Sequence, residues 1–216
     1  AVGKARKVVG VGCKNGGFFV LDASSGKLVA QTPVYAGPPK YPLQPARDPR
    51  TIALPGLIGG IQTGCATNGE DVFTNGTDWI SLASKKRGLP EAGRVVSLSM
   101  DLSTERWRHE RPKVSLSGDP VASGVALGGG VVCFTTTVSK KLVVVDAESG
   151  KTVRDFDVGT VWSGPSISRG RIYVGTGSIL FLGTKSTGTL FSFGIEGRDE
   201  VERMGVGSES AIGPGR

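Results

Sequence analysis

The sequence has little of the residue types that most often carry catalysis and metal binding: one histidine and three cysteines in 216 residues. Cys13, Cys65 and Cys133 show no Cys-x-x-Cys spacing, which excludes a structural zinc site or covalent haem by local motif. Each lies in a strand-like stretch, where a buried thiol is the default; a Cys13–Cys65 disulfide stays open. His109 stands between Arg108 and Glu110. No Ser–His–Asp set can be argued from it, and beside those charges it reads as a surface residue on an outer strand. There is no Gly-x-x-x-x-Gly-Lys-Ser/Thr phosphate loop, and Gly10-Val11-Gly12 lacks the third glycine and following helix of a dinucleotide fingerprint.

Long apolar runs are missing too. None approaches the ~20 residues of a membrane span. No apolar h-region follows Ala1, so no secretory signal is visible; for part of a longer chain this says nothing about export. Helical periodicity is absent, and 34 glycines argue against long helices. The net charge is +7, but the basic runs Lys4–Lys7, Lys85–Arg87 and Arg106–Arg111 are dispersed over turns and an insertion. They read as solvated loops and edge-strand charges. Nucleic-acid binding needs a clustered basic face with stacking aromatics, and neither is evident.

What is present is a repeat. Asp22-Ala23-Ser24-Ser25-Gly26-Lys27 follows Phe18-Phe19-Val20-Leu21, and Asp146-Ala147-Glu148-Ser149-Gly150-Lys151 follows Leu142-Val143-Val144-Val145. Asp101-Leu102-Ser103-Thr104-Glu105-Arg106 reads as a degenerate copy after Val95-Val96-Ser97-Leu98. An Asp carboxylate can accept backbone N–H bonds within its turn, and glycine takes the left-handed position. These aspartates are therefore turn formers rather than acids. Asp101 and Asp146 are 45 residues apart, the ~40–50 residues of a four-stranded propeller blade. Upstream halves recur as well, at Thr63–Phe73, Val121–Phe134 and Gly164–Gly175, each a strand, a Gly or Asn-Gly turn and a strand.

The expected fold is an all-β propeller of four-stranded antiparallel blades. Residues from about 7 to 34 hold the later strands of one blade, about 59 to 112 a second, about 118 to 158 a third and about 161 to 195 most of a fourth. An insertion is expected near Ser84–Gly93. Four blades are the low end of propeller sizes, and closure protects strand edges. The expectation is therefore the C-terminal part of a larger ring of seven or eight blades, with a partial propeller over 1–195 and a polar, disordered tail over 196–216.

Propellers keep their sites on the axis and the loops at one mouth. Three segments there carry unusual polar or aromatic residues: Lys14-Asn15-Gly16-Gly17, Gly59-Gly60-Ile61-Gln62-Thr63-Gly64 and Val161-Trp162-Ser163-Gly164-Pro165. With the strand Lys7–Gly12 before it and Phe18–Asp22 after it, the Lys14-Asn15-Gly16 motif resembles the interior of a quinoprotein alcohol dehydrogenase. Gly59–Gln62, Ala66–Gly69 and Trp162–Ser166 are also similar to that family, and Gly188–Ile195 is similar to the last strand of its polyvinyl-alcohol-dehydrogenase-like members.

The resemblance covers most of residues 4–195. It implies pyrroloquinoline quinone on the propeller axis with calcium beside it, an aspartate base, and a small or polymeric alcohol as substrate. It also implies a separate electron acceptor such as a cytochrome c, and a periplasmic or extracellular location. Lys14 matches the family's lysine, whose ammonium stabilises a developing quinone oxyanion; its other reading is a hairpin-turn lysine. Trp162 matches a tryptophan near the cofactor, or packs within a blade. Gln62 is an axis-facing polar candidate.

The chain departs from the family at several places. Thr63 stands where relatives carry Trp before Gly, and adjacent paired cysteines are absent. Tryptophan-docking motifs place Trp eight residues after the repeat Asp; Ala30, His109 and Arg154 hold those places, with Trp107 in a shortened copy. The base and much of the calcium site are expected upstream of residue 1, so no metal ligand is assigned. The departures favour a second reading, a non-catalytic propeller scaffold for protein partners like the outer-membrane assembly lipoproteins. A third, binding of extracellular carbohydrate or polymer, has no residue of its own.

Overall fold

A computed structural model describes residues 6–34, 59–78, 92–112, 114, 118–177 and 187–194. The tail over 196–216 and most of the insertion near Ser84–Gly93 lie outside them. The described residues form fourteen strands and no helix, in four antiparallel sheets that are propeller blades.

Blade one holds β1 (Val8–Gly12), β2 (Gly17–Asp22) and β3 (Leu28–Pro33). Blade two holds β4 (Ala66–Thr67), β5 (Asp71–Asp78), β6 (Ala92–Ser99) and β7 (Glu105–Glu110). Blade three holds β8 (Ala126–Gly128), β9 (Val131–Thr135), β10 (Lys141–Asp146) and β11 (Thr152–Asp157). Blade four holds β12 (Ser166–Ser168), β13 (Arg171–Thr176) and β14 (Thr189–Gly194). Each sheet is a meander in chain order. β8 touches both β4 and β12 across blades, so these three are the inner strands around the axis. By register, β1–β3 are the second, third and outer strands of their blade, and β12–β14 the inner, second and third.

The turn chemistry acts as its residues dictate. Asp22 Oδ1 accepts from the amides of Ser24 and Ser25, and Asp146 Oδ1 from the amide of Ser149. Gly26 and Gly150 take the left-handed conformation at φ 67° and 68°. The second copy differs from its expected place. Asp22 N bonds Lys27 O and Asp146 N bonds Lys151 O, and the matching bond in blade two runs from Ser99 N to Thr104 O. Ser99, not Asp101, is therefore the equivalent of Asp22 and Asp146. Asp101 sits inside the turn and accepts from the Ser99 hydroxyl and the Ser103 amide. Counted from Ser99, Trp107 stands eight residues on, in the full tryptophan-docking register. A β-bulge recurs one step before each turn, with Val29, Arg106 and Val153 as the extra residue on the outer strand, adding local twist there.

The core is three blade-to-blade seams. Phe18, Val20 and Val34 of blade one meet Ile61, Val72, Val96 and Leu98 of blade two. Phe73, Val95 and Trp107 of blade two meet Val132, Phe134, Val143 and Val145 of blade three. Cys133, Leu142, Val144 and Val158 meet Val161 and Val174 at the last seam. Buried residues run nearly continuously along the second and third strands of blades two and three, so those two blades bury both faces.

Candidate functional site

A hydroxyl residue and a glycine precede each inner strand by the same spacing: Thr63-Gly64, Ser123-Gly124 and Ser163-Gly164. Each hydroxyl bonds the residue twelve positions on, at the end of the second strand. Thr63 Oγ1 donates to Asn75 Oδ1 at 3.2 Å, Ser123 Oγ to Thr135 O at 3.2 Å, and Ser163 Oγ to Gly175 O. Packing around the axis is tight at the glycine of blade four and ordinary at that of blade three. A Cβ on Gly164 would stand 3.1 Å from Gly124 O, and one on Gly124 3.4 Å from Gly64 O. Side chains then stitch one blade to the next. Asn75 Nδ2 and Thr77 Oγ1 both donate to Val121 O at 2.7 Å, and Thr135 Oγ1 donates to Ser163 O at 2.8 Å.

The meander sorts the loops between two mouths. Loops from second to third strand, and from one blade's outer strand to the next inner strand, open on one side; the repeat turns open on the other. Lys14 is on a loop of the first kind, and Gln62 and Trp162 immediately precede inner strands. All three share one mouth. Gln62, Ala122 and Trp162 hold the same repeat position in successive blades. The Lys14 turn is locked against the Gln62 segment: Ile61 N donates to Cys13 O at 3.1 Å, and Gln62 Nε2 to Gly59 O at 3.1 Å. Gly60, at φ 93°, has no room for a side chain, since a Cβ would lie 2.1 Å from Lys14 O. Lys14 is exposed and Trp162 half-buried.

An ammonium, a carboxamide and an indole at one mouth suit a flat, anionic quinone, which takes charge pairing at its oxygens and stacking on its face. Among the described residues no group of three or more His, Cys, Asp or Glu could hold a metal ion.

Several residues differ from their expected roles. His109 is not on the surface. It lies half-buried in the seam between blades two and three, its Nδ1 3.0 Å from Gly150 O and its ring edge-on to Phe134. Its Nε2 is buried without a partner, and burial lowers its pKa. Arg111, in a run read as solvated, is buried against Asp119 at 3.2 Å. The thiols are all free, with Cys65 exposed, Cys13 half-buried and Cys133 buried; burial pushes Cys133 up to about 12. The sequence also left Arg94 and Asp119 unmarked. Arg94 pairs with Asp78 and Glu110 and donates to Val34 O. Asp119 accepts from Arg111 and from the amide and hydroxyl of Ser139, which commits this buried acid to holding the mouth together. No local pattern announces such pairs, because their partners meet only in the fold.

The chain's relatives agree with this architecture. Residues 91–193 match a PQQ-type repeat family model described as outer membrane protein assembly factor BamB. The quinohemoprotein alcohol dehydrogenase of Comamonas testosteroni superposes with a TM-score of 0.66 at 22% identity, over 89% of this chain and 36% of that one. The chain is a β-propeller protein, with PQQ-type repeats matched over residues 91–193. BamB of Moraxella catarrhalis shares the fold at a TM-score of 0.52 and 13% identity, over 89% of this propeller and 48% of BamB. This propeller thus spans about half the length of one relative and about a third of the other. No curated protein sequence matches it significantly. No helix among the described residues is long and apolar enough to cross a membrane.

Proposed function

We propose that this PQQ-like propeller binds pyrroloquinoline quinone at the mouth bearing Lys14, Gln62 and Trp162. In this reading it serves a quinoprotein-type dehydrogenase, in the periplasm or outside the cell, that oxidises a small or polymeric alcohol and passes electrons to a separate acceptor such as a cytochrome c. The observation that carries the reading is the locked pairing of the Lys14 turn with Gly60–Gln62 at the mouth where Trp162 repeats the Gln62 position.

The quinone, when bound, supplies the two-electron acceptor. Lys14 offers an ammonium to oxygens that gain negative charge, a role requiring a fixed approach. Backbone contacts at Gly60 and Ile61 fix that approach without a side chain in the way. Trp162 offers a ring face, and Gln62 helps hold its loop through Gly59 O. The base and calcium ligands come, in this reading, from elsewhere in the polypeptide.

A titration with pyrroloquinoline quinone, with and without calcium, followed by tryptophan fluorescence, tests this. Saturable quenching is expected, weakened roughly tenfold or more in Lys14→Ala, the loss of a charge-assisted contact, with the circular dichroism unchanged. Absence of binding in both conditions overturns the reading. A second reading, a non-catalytic scaffold for protein partners, is supported by the BamB family match over residues 91–193.

A further inference from the structure

His109 stands in its seam at a place that the next seam gives to a hydrocarbon ring. Counted from Ser99 and from Asp146, which hold the same turn position, His109 and Phe156 are both ten residues on. Phe156 packs on Phe193 with ring centroids 4.4 Å apart, inside the apolar cluster of the last seam. His109 meets Phe134 edge-on at 5.7 Å in the seam between blades two and three. In the first seam the place belongs to Thr32. A phenyl or a hydroxyl serves there whatever the pH; an imidazole does not.

The hydrogen bonds fix which imidazole the closed seam accepts. Gly150 O can only accept, so His109 Nδ1, 3.0 Å away, carries the proton. Nε2 is therefore a bare acceptor, buried without a hydrogen-bond partner among the described residues. The closed seam takes the neutral ring.

The charges around the ring do not compensate a second proton. Arg111 and Glu110 act on it from the end of its own strand, and Asp155 from β11. Asp155 pairs with Val143, and Val143 with Phe134, so Asp155 lies on the face of blade three that His109 touches. Asp155 Oδ2 is 3.7 Å from Arg111, and its Oδ1 is buried without a partner among the described residues. In the turn, Asp146 bonds Ser149, and Glu148 and Lys151 are exposed. Arg111 and Asp155 oppose each other in sign beside the ring, and burial then decides against an imidazolium.

The same stretch of chain carries the outer fastenings of this seam. Trp107 Nε1 donates to Ala147 O at 2.9 Å and His109 Nδ1 to Gly150 O, so two rings of β7 hold one turn of blade three. Arg111, two residues past His109, holds Asp119, and Asp119 accepts from the amide and hydroxyl of Ser139 in the mouth loop of blade three.

We propose that the outer half of the seam between blades two and three is an acid-released latch, opened within the folded chain when His109 takes a proton on Nε2. In the open seam the ring is hydrated and titrates near its ordinary 6.5, whereas the closed seam resists the charge. Each pH unit below 6.5 therefore raises the opening constant by up to about tenfold, until the closed form is protonated too. Opening frees the turn Ala147–Gly150 from both rings and lets Arg111 move with β7, while the seams with Thr32 and Phe156 stay shut.

Hydrogen exchange of the ¹⁵N-labelled chain, read residue by residue from about pH 7.5 to about pH 5.5 and divided by the intrinsic rates, tests this. Protection of the Trp107 indole N–H should fall by up to about tenfold per pH unit below 6.5. The Ser139 amide signal should shift with the same midpoint. Amides of Val20 in the first seam and Val174 in the last should keep their protection. His109→Phe, which copies the Phe156 place, should make Trp107 protection independent of pH. Asp155→Asn removes the carboxylate that favours an imidazolium, so its midpoint should move to lower pH, a shift that a merely structural role would not produce. Protection of Trp107 that does not change with pH overturns the proposal. So does an unaltered response in His109→Phe, a midpoint that fails to fall in Asp155→Asn, or an equal loss in all three seams, which is global unfolding.

Discussion

Arg94 and Asp78 form an ion pair in which neither side chain is exposed at all. Arg94 also donates to Val34 O in blade one and to Glu110 at 3.2 Å, so one guanidinium joins two blades. Removing one member of a buried pair leaves the other charge buried, at a cost of about 3–5 kcal/mol. Arg94→Met should therefore lose about that much in urea unfolding. The double change Arg94→Met with Asp78→Leu should recover much of it, because two apolar groups carry no desolvation cost. A double variant no more stable than the single one would show that the bond to Val34 O matters more than the pair.

Trp107 is the chief anchor between blades two and three. Trp107→Ala should destabilise by about 3–5 kcal/mol, the usual cost of truncating a buried aromatic. Trp107→Phe keeps most of the ring contact but leaves Ala147 O without its donor, and should lose about 1–3 kcal/mol. Equilibrium unfolding of both variants checks the order.

Gly60 has a more local role. Its φ of 93° and the 2.1 Å approach to Lys14 O mean Gly60→Ala must push the Lys14 turn away. In the proposed site quinone binding should fall in this variant, and the seam around Ile61 should lose stability as well, because the clash is with backbone. A variant with unchanged binding would separate Lys14 from the Gln62 segment in function.

Acid should act on the protein in two steps. Burial lowers the pKa of His109 below its ordinary 6.5, so the folded state holds it neutral while the unfolded chain takes up a proton. Its contribution is complete above pH 6.5 and declines as the pH falls below that value toward the folded pKa. Asp22, Asp101 and Asp146 are all held below 3.8, chiefly by the hydroxyls of Ser24, Ser99 and Ser149 respectively, with Asp101 at about 2. Their contributions are present above pH 3.8 and are lost as the pH falls through the folded values. Thermal unfolding should weaken first between pH 7 and 5 and again below pH 4. In His109→Gln the first step should vanish and the second remain.

The thiols should separate by exposure. Burial raises both thiols, Cys133 to about 12, so what separates them is access: Cys65 is at the surface and Cys133 is buried. A maleimide reagent at pH 7 should label Cys65 readily and Cys133 only after denaturation. Early labelling of Cys133 would show that the last seam opens.

Much of the fold was legible because its signals are local. The Asp-x-x-Ser-Gly turns at Asp22 and Asp146, the Gly turns and the β-branched runs are short-range patterns, and each formed the strands expected of it. The second turn was misplaced by two residues because Asp101 mimics the turn aspartate while Ser99 holds its backbone position. That slip also hid the register of Trp107. Lys14, Gln62 and Trp162 were marked by their residue types, and the meander brings their loops to one mouth; their part in binding is a proposal.

The sequence alone determined that this is an all-β array of strand–turn–strand units, since hairpin turns and alternation depend on neighbours a few residues away. Only the tertiary structure decided which faces close. Arg94 with Val34, Arg111 with Asp119 and Trp107 over Gly150 depend on contacts that only the packed blades bring about. Their partners are separated by as few as eight residues, as with Arg111 and Asp119, or as many as sixty, as with Arg94 and Val34. Such contacts form only once the apolar seams bring the sheets together, and no spacing along the chain encodes them.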